Sequence, residues 1–109
     1  MKLYYIYVIE NEAKHIKIGI TTNFSNRLKS LQGSNTGGFK IVKYYCSEPT
    51  PLPQIEKIMH SRYNNHRIKG TEWFKNIEFS EVVKNLKTLL LSEDYKRQVK
   101  RLTENENSF

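Results

Sequence analysis

The chain has 109 residues, of which 38% are hydrophobic and 12% aromatic, and this composition favours one folded domain and excludes a disordered chain. Eighteen lysines and arginines against eleven aspartates and glutamates give a formal net charge of +7, so a polyanion is the leading candidate partner. The single cysteine and the lack of a Cys/His cluster with zinc spacing exclude an internal disulfide and a zinc site, and they favour a reducing cytoplasm.

Two strands with alternating apolar residues begin the chain, over about residues 3–9 and 15–21, and a short polar turn joins them into a β-hairpin. If Glu10 and Lys14 are cross-strand neighbours, opposite charges face each other, and residues whose numbers sum to 24 are paired. The even-numbered positions then form one apolar face. A shift by one residue would scramble both faces, so the pattern itself specifies the register.

The opposite face of this hairpin pairs Tyr7 with Lys17 and Tyr5 with Gly19 in the same register. An ammonium group near a phenol favours the ionised phenolate, so the Tyr7 side chain can act as a base or orient a water molecule. Gly19 leaves room above the sheet for another group. The alternative is a plain cross-strand pair, in which the lysine stem covers the tyrosine ring.

One further strand and four helices are predicted after the hairpin. In chain order these are a helix from Thr22 or Asn23 to Gly33, a strand over residues 39–46, a helix over about 52–65, and two helices that begin at Ser80 and Ser92. The order β-β-α-β-α-α-α predicts an α+β fold with a small three-stranded antiparallel sheet flanked by helices. A single domain is expected over residues 1–102, with a core over about 3–76, C-terminal helices over about 80–102 and a flexible tail over 103–109.

Two charged side chains are predicted beside the apolar stripes of the first two helices. Arg27 lies next to the first stripe, where it can reach over the sheet edge or be solvated. Glu56 lies at the margin of the second stripe, with His60 one turn later. A carboxylate at a core boundary needs an ionic partner or a metal, and Mg²⁺ held by one carboxylate, waters and phosphate oxygens meets that need. A glutamate that reaches solvent, or pairs with an arginine or lysine, is the alternative.

The order and spacing of these short motifs resemble those of the GIY-YIG nuclease superfamily, over about residues 3–76. The motifs are Tyr5-Ile6-Tyr7, Lys17-Ile18-Gly19, Arg27 in a helix and Glu56 in the next helix. The sequence is more closely similar to the phage-type orf172 branch, where "KIGIT", an E-x-x-x-H helix and "EWF" recur. In this chain those are residues 17–21, Glu56 with His60, and residues 72–74.

The resemblance implies a metal-dependent DNA endonuclease that hydrolyses phosphodiester bonds with one Mg²⁺ or Mn²⁺ ion. It implies that Tyr7 is a base or water-orienting group, that Arg27 stabilises the scissile phosphate, and that Glu56 holds the metal. Lys17 would lower the pKa of Tyr7 or contact phosphate, and His60 is a further candidate catalytic residue. Two positions depart from the family pattern, since Tyr5 replaces a glycine and Lys17 replaces a tyrosine.

Duplex or branched DNA is the expected partner, and no membrane partner is expected because no apolar run approaches a membrane span. The predicted DNA-binding residues are Tyr5, Gly19, Arg62, Tyr63, Arg67 and Lys69. Gly19 would admit the DNA backbone, whereas Trp73 is interpreted as a core anchor. Two alternative functions remain, a DNA-binding module that does not cut and a protein-interaction accessory factor of a phage or mobile element.

Overall fold

The computed structural model describes residues 2–32, 38–49 and 51–92, together with the backbone of residues 103–108. Its elements are β1 (Tyr4–Glu10), β2 (Ile16–Thr21), α1 (Phe24–Gln32), β3 (Lys40–Cys46), α2 (Leu52–Arg62), a 3-10 turn (Asn64–His66), β4 (Trp73–Phe74), α3 (Phe79–Leu90) and β5 (Thr103–Ser108). The strands form one antiparallel sheet in the order β4-β2-β1-β3-β5. The predicted α+β class is confirmed, and the sheet is larger than the three strands expected.

The two outer strands, β4 and β5, are the ones that the sequence prediction missed. With two residues, β4 is too short to show an alternating pattern. The backbone of β5 pairs with β3, in a polar segment predicted as a flexible tail. Most of the helix predicted to begin at Ser92 falls on residues 93–102, which lie outside the described residues.

The hairpin turn lies one residue later than predicted, and this changes the pairing of β1 with β2. Asn11 donates its backbone N–H to the His15 carbonyl at 3.0 Å, so the loop consists of the three residues 12–14. Lys14 takes the left-handed conformation, with φ 66°, as expected for the last position of a three-residue hairpin loop. Paired residues therefore sum to 26, and Tyr7 lies opposite Gly19 rather than Lys17. Because the shift equals two residues, both faces keep their predicted members.

The even-numbered face of the hairpin packs against α2 and α3 and forms the larger core. Leu52, Ile55 and Met59 are the buried positions of α2, and their spacing gives the apolar stripe expected from the sequence. Each such aliphatic side chain contributes about 1.5–3 kcal/mol on burial. Pro53 occupies the first turn of α2, where its missing N–H has no helical partner to lose. Within the described residues, no helix is long and apolar enough to cross a membrane.

The odd-numbered face packs under α1 and forms a second, smaller core. Tyr7, Ile9, Phe24, Phe39 and Ile41 are its buried residues. The α1 helix begins after Asn23, whose side-chain oxygen accepts a hydrogen bond from the backbone N–H of Asn26 at 3.1 Å, as the sequence predicts for a helix cap. The sheet therefore has helices on both faces, and, of the helices that the structure describes, α1 covers the face that carries the predicted catalytic tyrosine.

Candidate active site

The candidate site lies where β4 ends along the outer edge of β2. Strand β4 pairs with β2 only at Ile16 and Lys17. At the next residue, the Ile18 carbonyl lies 2.7 Å from Nε2 of His60 on α2. A carbonyl oxygen can only accept, so Nε2 carries the hydrogen and donates it. His60 thus supplies the hydrogen bond that a neighbouring strand would give to the Ile18 carbonyl, and this bond holds α2 against β2 beside the predicted site.

The ring of Tyr7 fills the space that a side chain at position 19 would occupy. A Cβ atom placed on Gly19 would lie 2.6 Å from Cζ of Tyr7, which is far inside van der Waals contact. The ring is also held edge-on by Phe24 of α1, with centroids 5.7 Å apart. The room above Gly19 therefore accommodates Tyr7, and not the DNA backbone as the sequence suggested.

The Tyr7 hydroxyl is affected by charged side chains of the other elements of the site. The Arg27 guanidinium donates a hydrogen bond to it from Nη1 at 3.4 Å, across from α1. Burial raises the pKa of Tyr7, Arg27 opposes that rise, and the negative charges of Glu56 and Glu72 add to it. The expectation that Lys17 lowers the pKa of Tyr7 is wrong. At neutral pH Tyr7 is an un-ionised phenol that can both donate and accept a hydrogen bond.

Lys17 lies on the same face as Tyr7 but belongs to a different set of contacts. It is opposite Ile9 on β1 and opposite Trp73 on β4. Its Nζ lies 2.9 Å from Oε2 of Glu72 and 5.9 Å from the centroid of the Trp73 ring. The Lys17 ammonium, through its hydrogen bond and its charge, holds the pKa of the Glu72 carboxyl below its ordinary value. The lysine therefore carries its own counterion.

Glu56 contributes a half-buried carboxylate from α2, between the buried residues Ile55 and Met59. Within the described residues, this carboxylate takes part in no hydrogen bond or ion pair of the structure, although its charge acts on Tyr7. The same part of the chain contains no group of three or more His, Cys, Asp or Glu side chains that could hold a metal. A lone carboxylate fits Mg²⁺, which keeps most of its waters and takes substrate oxygens, better than a metal that needs a full protein cage.

The predicted DNA-binding residues are divided between the surface and the core. Arg62, Arg67 and Lys69 are exposed, at the end of α2 and in the following loop. Tyr63 is buried, with 7% of its surface exposed, and its hydroxyl accepts a hydrogen bond from Asn85 of α3 at 2.5 Å. The Tyr63 ring is thus a link between α2 and α3, which is not a position for DNA contact.

Tyr5 lies on the same odd-numbered face of the hairpin as Tyr7, which is the face of the candidate site. Its ring packs against the rings of Phe24 and Tyr45, with centroids 6.0 Å and 5.7 Å away. Trp73 is half-buried against the second core, in agreement with its interpretation as an anchor. Trp73 also lines a cavity of about 300 Å³, together with residues of the hairpin turn, of α1 and of the loop before β4.

Two charged residues of this region were missed at the level of sequence. Lys43 on β3 lies directly across from Tyr7, and its Nζ is 4.4 Å from the centre of the Phe24 ring. The alternating pattern of β3 could have placed Lys43 on one face, but only the pairing of β3 with β1 reveals that it is the tyrosine's face. The sequence gives no role to Glu72 of "EWF", because its partner Lys17 is 55 residues away in the chain.

The profile of the T5orf172 domain matches residues 4–90, which include Tyr7, Lys17, Arg27, Glu56 and Glu72. This match confirms the resemblance to orf172-type domains. No curated protein and no solved structure matches the chain. Since the matched region covers well over half of the 109 residues, the chain belongs to the T5orf172 domain family, a phage-type domain associated with nucleases.

Proposed function

We propose that this protein is a metal-dependent DNA endonuclease of the GIY-YIG type, which hydrolyses phosphodiester bonds with one metal ion. One observation carries the proposal. The Tyr7 hydroxyl accepts a hydrogen bond from Arg27 at 3.4 Å, and the nearby Glu56 carboxylate has no hydrogen-bond or ion-pair partner among the described residues. A phenol, a guanidinium and an open carboxylate from three separate elements are the groups that such a reaction needs.

Tyr7 acts in this proposal as an orienting group rather than as a base. Because burial raises its pKa, the phenol keeps its proton at neutral pH and cannot accept another from water. Tyr7 is fully buried in this structure, so the groups that cover it must move before its O–H can donate to a phosphate oxygen or to the attacking water, while its lone pair accepts from Arg27. The rigid contacts with Gly19 and Phe24 fix the direction of that hydrogen bond, and such preorganisation is what favours a transition state.

Arg27 supplies the positive charge at the scissile phosphate. The guanidinium has five N–H donors, so after the bond to Tyr7 it keeps donors for the non-bridging oxygens. Arg27 is exposed to solvent on α1, which leaves it accessible to a DNA backbone. The hydrogen bond from Arg27 to Tyr7 couples the two groups, so that a phosphate bound by Arg27 lies next to the phenol. Lys43, across from Tyr7, adds a further cation on the same face.

Glu56 is the residue that would hold Mg²⁺ or Mn²⁺. The metal, when bound, would polarise a phosphate oxygen and stabilise charge on the leaving oxygen. The contribution of the chain is to keep the carboxylate half-buried on a rigid helix. His60, one turn further along α2, anchors this part of the helix to the Ile18 carbonyl at 2.7 Å and thereby positions Glu56.

The DNA contact outside the site rests on charge. A net charge of +7 and the exposed side chains Arg62, Arg67 and Lys69 favour a phosphate backbone, either duplex or branched. A DNA-binding module that does not cut is the second candidate. The observation in its favour is that Lys17, at a position where the superfamily usually has a tyrosine, is already paired with Glu72.

Cleavage of supercoiled plasmid with Mg²⁺ or Mn²⁺, compared with EDTA, tests the proposal. Glu56→Gln keeps the shape of the side chain but removes the charge, so cleavage should fall by about 10²-fold or more. Plasmid binding in a gel-shift assay should persist, because the lost charge is negative. Glu12→Gln is the matched control, since Glu12 is exposed in the hairpin turn and the change in charge is the same. Equal cleavage by the wild type and Glu56→Gln would contradict the one-metal mechanism. If the wild type shows no metal-dependent cleavage, the protein is instead a DNA-binding module that does not cut.

A further inference from the structure

The ion pair between Lys17 and Glu72 joins two side chains of very different exposure. The distance from Nζ to Oε2 is 2.9 Å, and the two side chains are 10% and 70% exposed, respectively. Lys17 is therefore fixed in the wall of the site, whereas Glu72 reaches it from the surface. A buried ammonium requires a negative partner, but nothing requires that partner to be a protein group.

Two more basic side chains lie beside the segment that carries this carboxylate. The His60 ring and the Arg67 guanidinium both lie against Phe74, two residues after Glu72, with distances of 5.6 Å between ring centroids and 5.3 Å from Cζ to the ring. After Lys17, the charges of His60 and Arg67 also lower the pKa of Glu72. Lys17 of β2 thus contacts the Glu72 carboxylate directly, and the charges of His60 on α2 and Arg67 in the loop before β4 act on it as well.

The segment that carries Glu72 allows this carboxylate to leave without unfolding. Gly70, with φ 80°, gives residues 68–71 the form of a type II turn, closed by a hydrogen bond from the Thr71 N–H to the Ile68 carbonyl at 3.0 Å. The Ile68 N–H bonds the Trp73 carbonyl at 2.8 Å, so the backbone is held on both sides of Glu72. The side chain can rotate into solvent while these bonds remain.

We propose that Lys17 and Arg67, beside His60, form a phosphate-binding subsite, which the Glu72 carboxylate occupies until a DNA phosphate displaces it. This inference rests on the proposed function, because it needs DNA as the ligand. Carboxylate and phosphate oxygens accept hydrogen bonds from the same donors, so one can replace the other. The Glu72 side chain is 70% exposed and gains little net stability from the pair, so a phosphate that also contacts Arg67 can compete with it for Lys17.

The test compares Glu72→Gln with Glu12→Gln, which removes the same charge from the exposed hairpin turn. Binding to a short duplex DNA is measured by anisotropy of a label on the DNA, in EDTA so that no cleavage occurs. If the Glu72 carboxylate competes with DNA phosphate for Lys17, Glu72→Gln should bind the duplex about two- to fivefold more tightly than Glu12→Gln. Lys17→Gln should then weaken binding more in the Glu72→Gln background than in the wild type, because the wild-type ammonium has to give up Glu72 before it binds phosphate.

Fluorescence gives a second readout, since Trp73 is the single tryptophan and lies 5.9 Å from the Lys17 ammonium. DNA should change the Trp73 emission of the wild type, and the change should be smaller for Glu72→Gln, where no ion pair breaks. Equal affinities of Glu72→Gln and Glu12→Gln would overturn the subsite, as would weaker binding by Glu72→Gln. If none of the proteins binds DNA, the proposed function falls together with the inference.

Discussion

Replacing Gly19 with alanine tests whether the missing side chain at this position sets the place of the Tyr7 ring. The added Cβ would lie 2.6 Å from Cζ of Tyr7, so the ring has to move. No part of Tyr7 is exposed, and Phe24 packs against its edge with centroids 5.7 Å apart, so little free volume is left to receive it. Overpacking of this kind costs about 1–3 kcal/mol.

This free energy can be read from the melting temperature. For a domain of about 100 residues, 1 kcal/mol corresponds to roughly 4–8 °C, so Gly19→Ala should lower Tm by about 4–24 °C. Movement of the ring also breaks the hydrogen bond to Arg27, and plasmid cleavage should fall while the far-ultraviolet circular-dichroism spectrum keeps its shape. Calorimetry or thermal circular dichroism measures the shift.

A double-mutant cycle separates the overlap from other effects of the alanine. In a Tyr7→Leu background the shorter side chain leaves space, so the destabilisation by Gly19→Ala should shrink by about 1 kcal/mol or more. Gly70→Ala is the matched control, because Gly70 has φ 80° and, apart from its chain neighbours, no atom of the described residues lies within 4 Å of an added Cβ. Its effect should be equal in both backgrounds. The steric explanation would be refuted if Gly19→Ala had the Tm of the wild type. It would also be refuted if the loss of stability caused by Gly19→Ala were the same in the Tyr7→Leu background.

The pair of Tyr7 and Arg27 and the net charge give three further outcomes. Tyr7→Phe and Arg27→Ala should each slow plasmid cleavage by about 10²-fold with Tm nearly unchanged, and wild-type rates in both would reject the site. In an ultraviolet absorbance titration, one tyrosine should ionise above the ordinary tyrosine pKa, and this titration step should be absent in Tyr7→Phe. Because the pKa of Tyr7 is raised in the folded state, its contribution to the free energy of unfolding is lost as the pH rises above about 10. DNA affinity should fall about tenfold or more over a severalfold rise in salt, whereas a flat response would exclude phosphate-dominated binding.

The faces of the hairpin were predictable from the sequence, whereas its register was not. Alternation with a period of two put Tyr7, Lys17 and Gly19 on one face, and this holds for any register shifted by an even number of residues. The actual pairing depends on the loop, where Lys14 rather than Asn11 ends the turn. A lysine at φ 66° is unusual, and no propensity rule selects it. The pairing of Tyr7 with Lys17 was therefore wrong, although both belong to the site face.

The chemistry of single residues was harder to predict where it depends on distant partners. Glu56 at the margin of the α2 stripe follows from helical periodicity, and the structure agrees. The direction of the Tyr7 pKa shift required the burial of the ring under α1, which a single strand pattern does not contain. Tyr63 was misplaced on the DNA surface because its partner, Asn85, comes from α3. Tertiary packing decides each of these cases.

The pairing of β2 with β4 also explains why two short motifs, "KIGIT" and "EWF", occur together. Lys17 of the first motif lies opposite Trp73 of the second and pairs with Glu72 at 2.9 Å. A tyrosine at position 17 would need no counterion, whereas a lysine that is 8% exposed does. A lysine at this buried position thus demands an acid close by, and Glu72, the residue just before β4, is that acid. Residues 17–21 and 72–74 act as one structural unit, in which the aromatic pair fixes the loop and the glutamate neutralises the lysine.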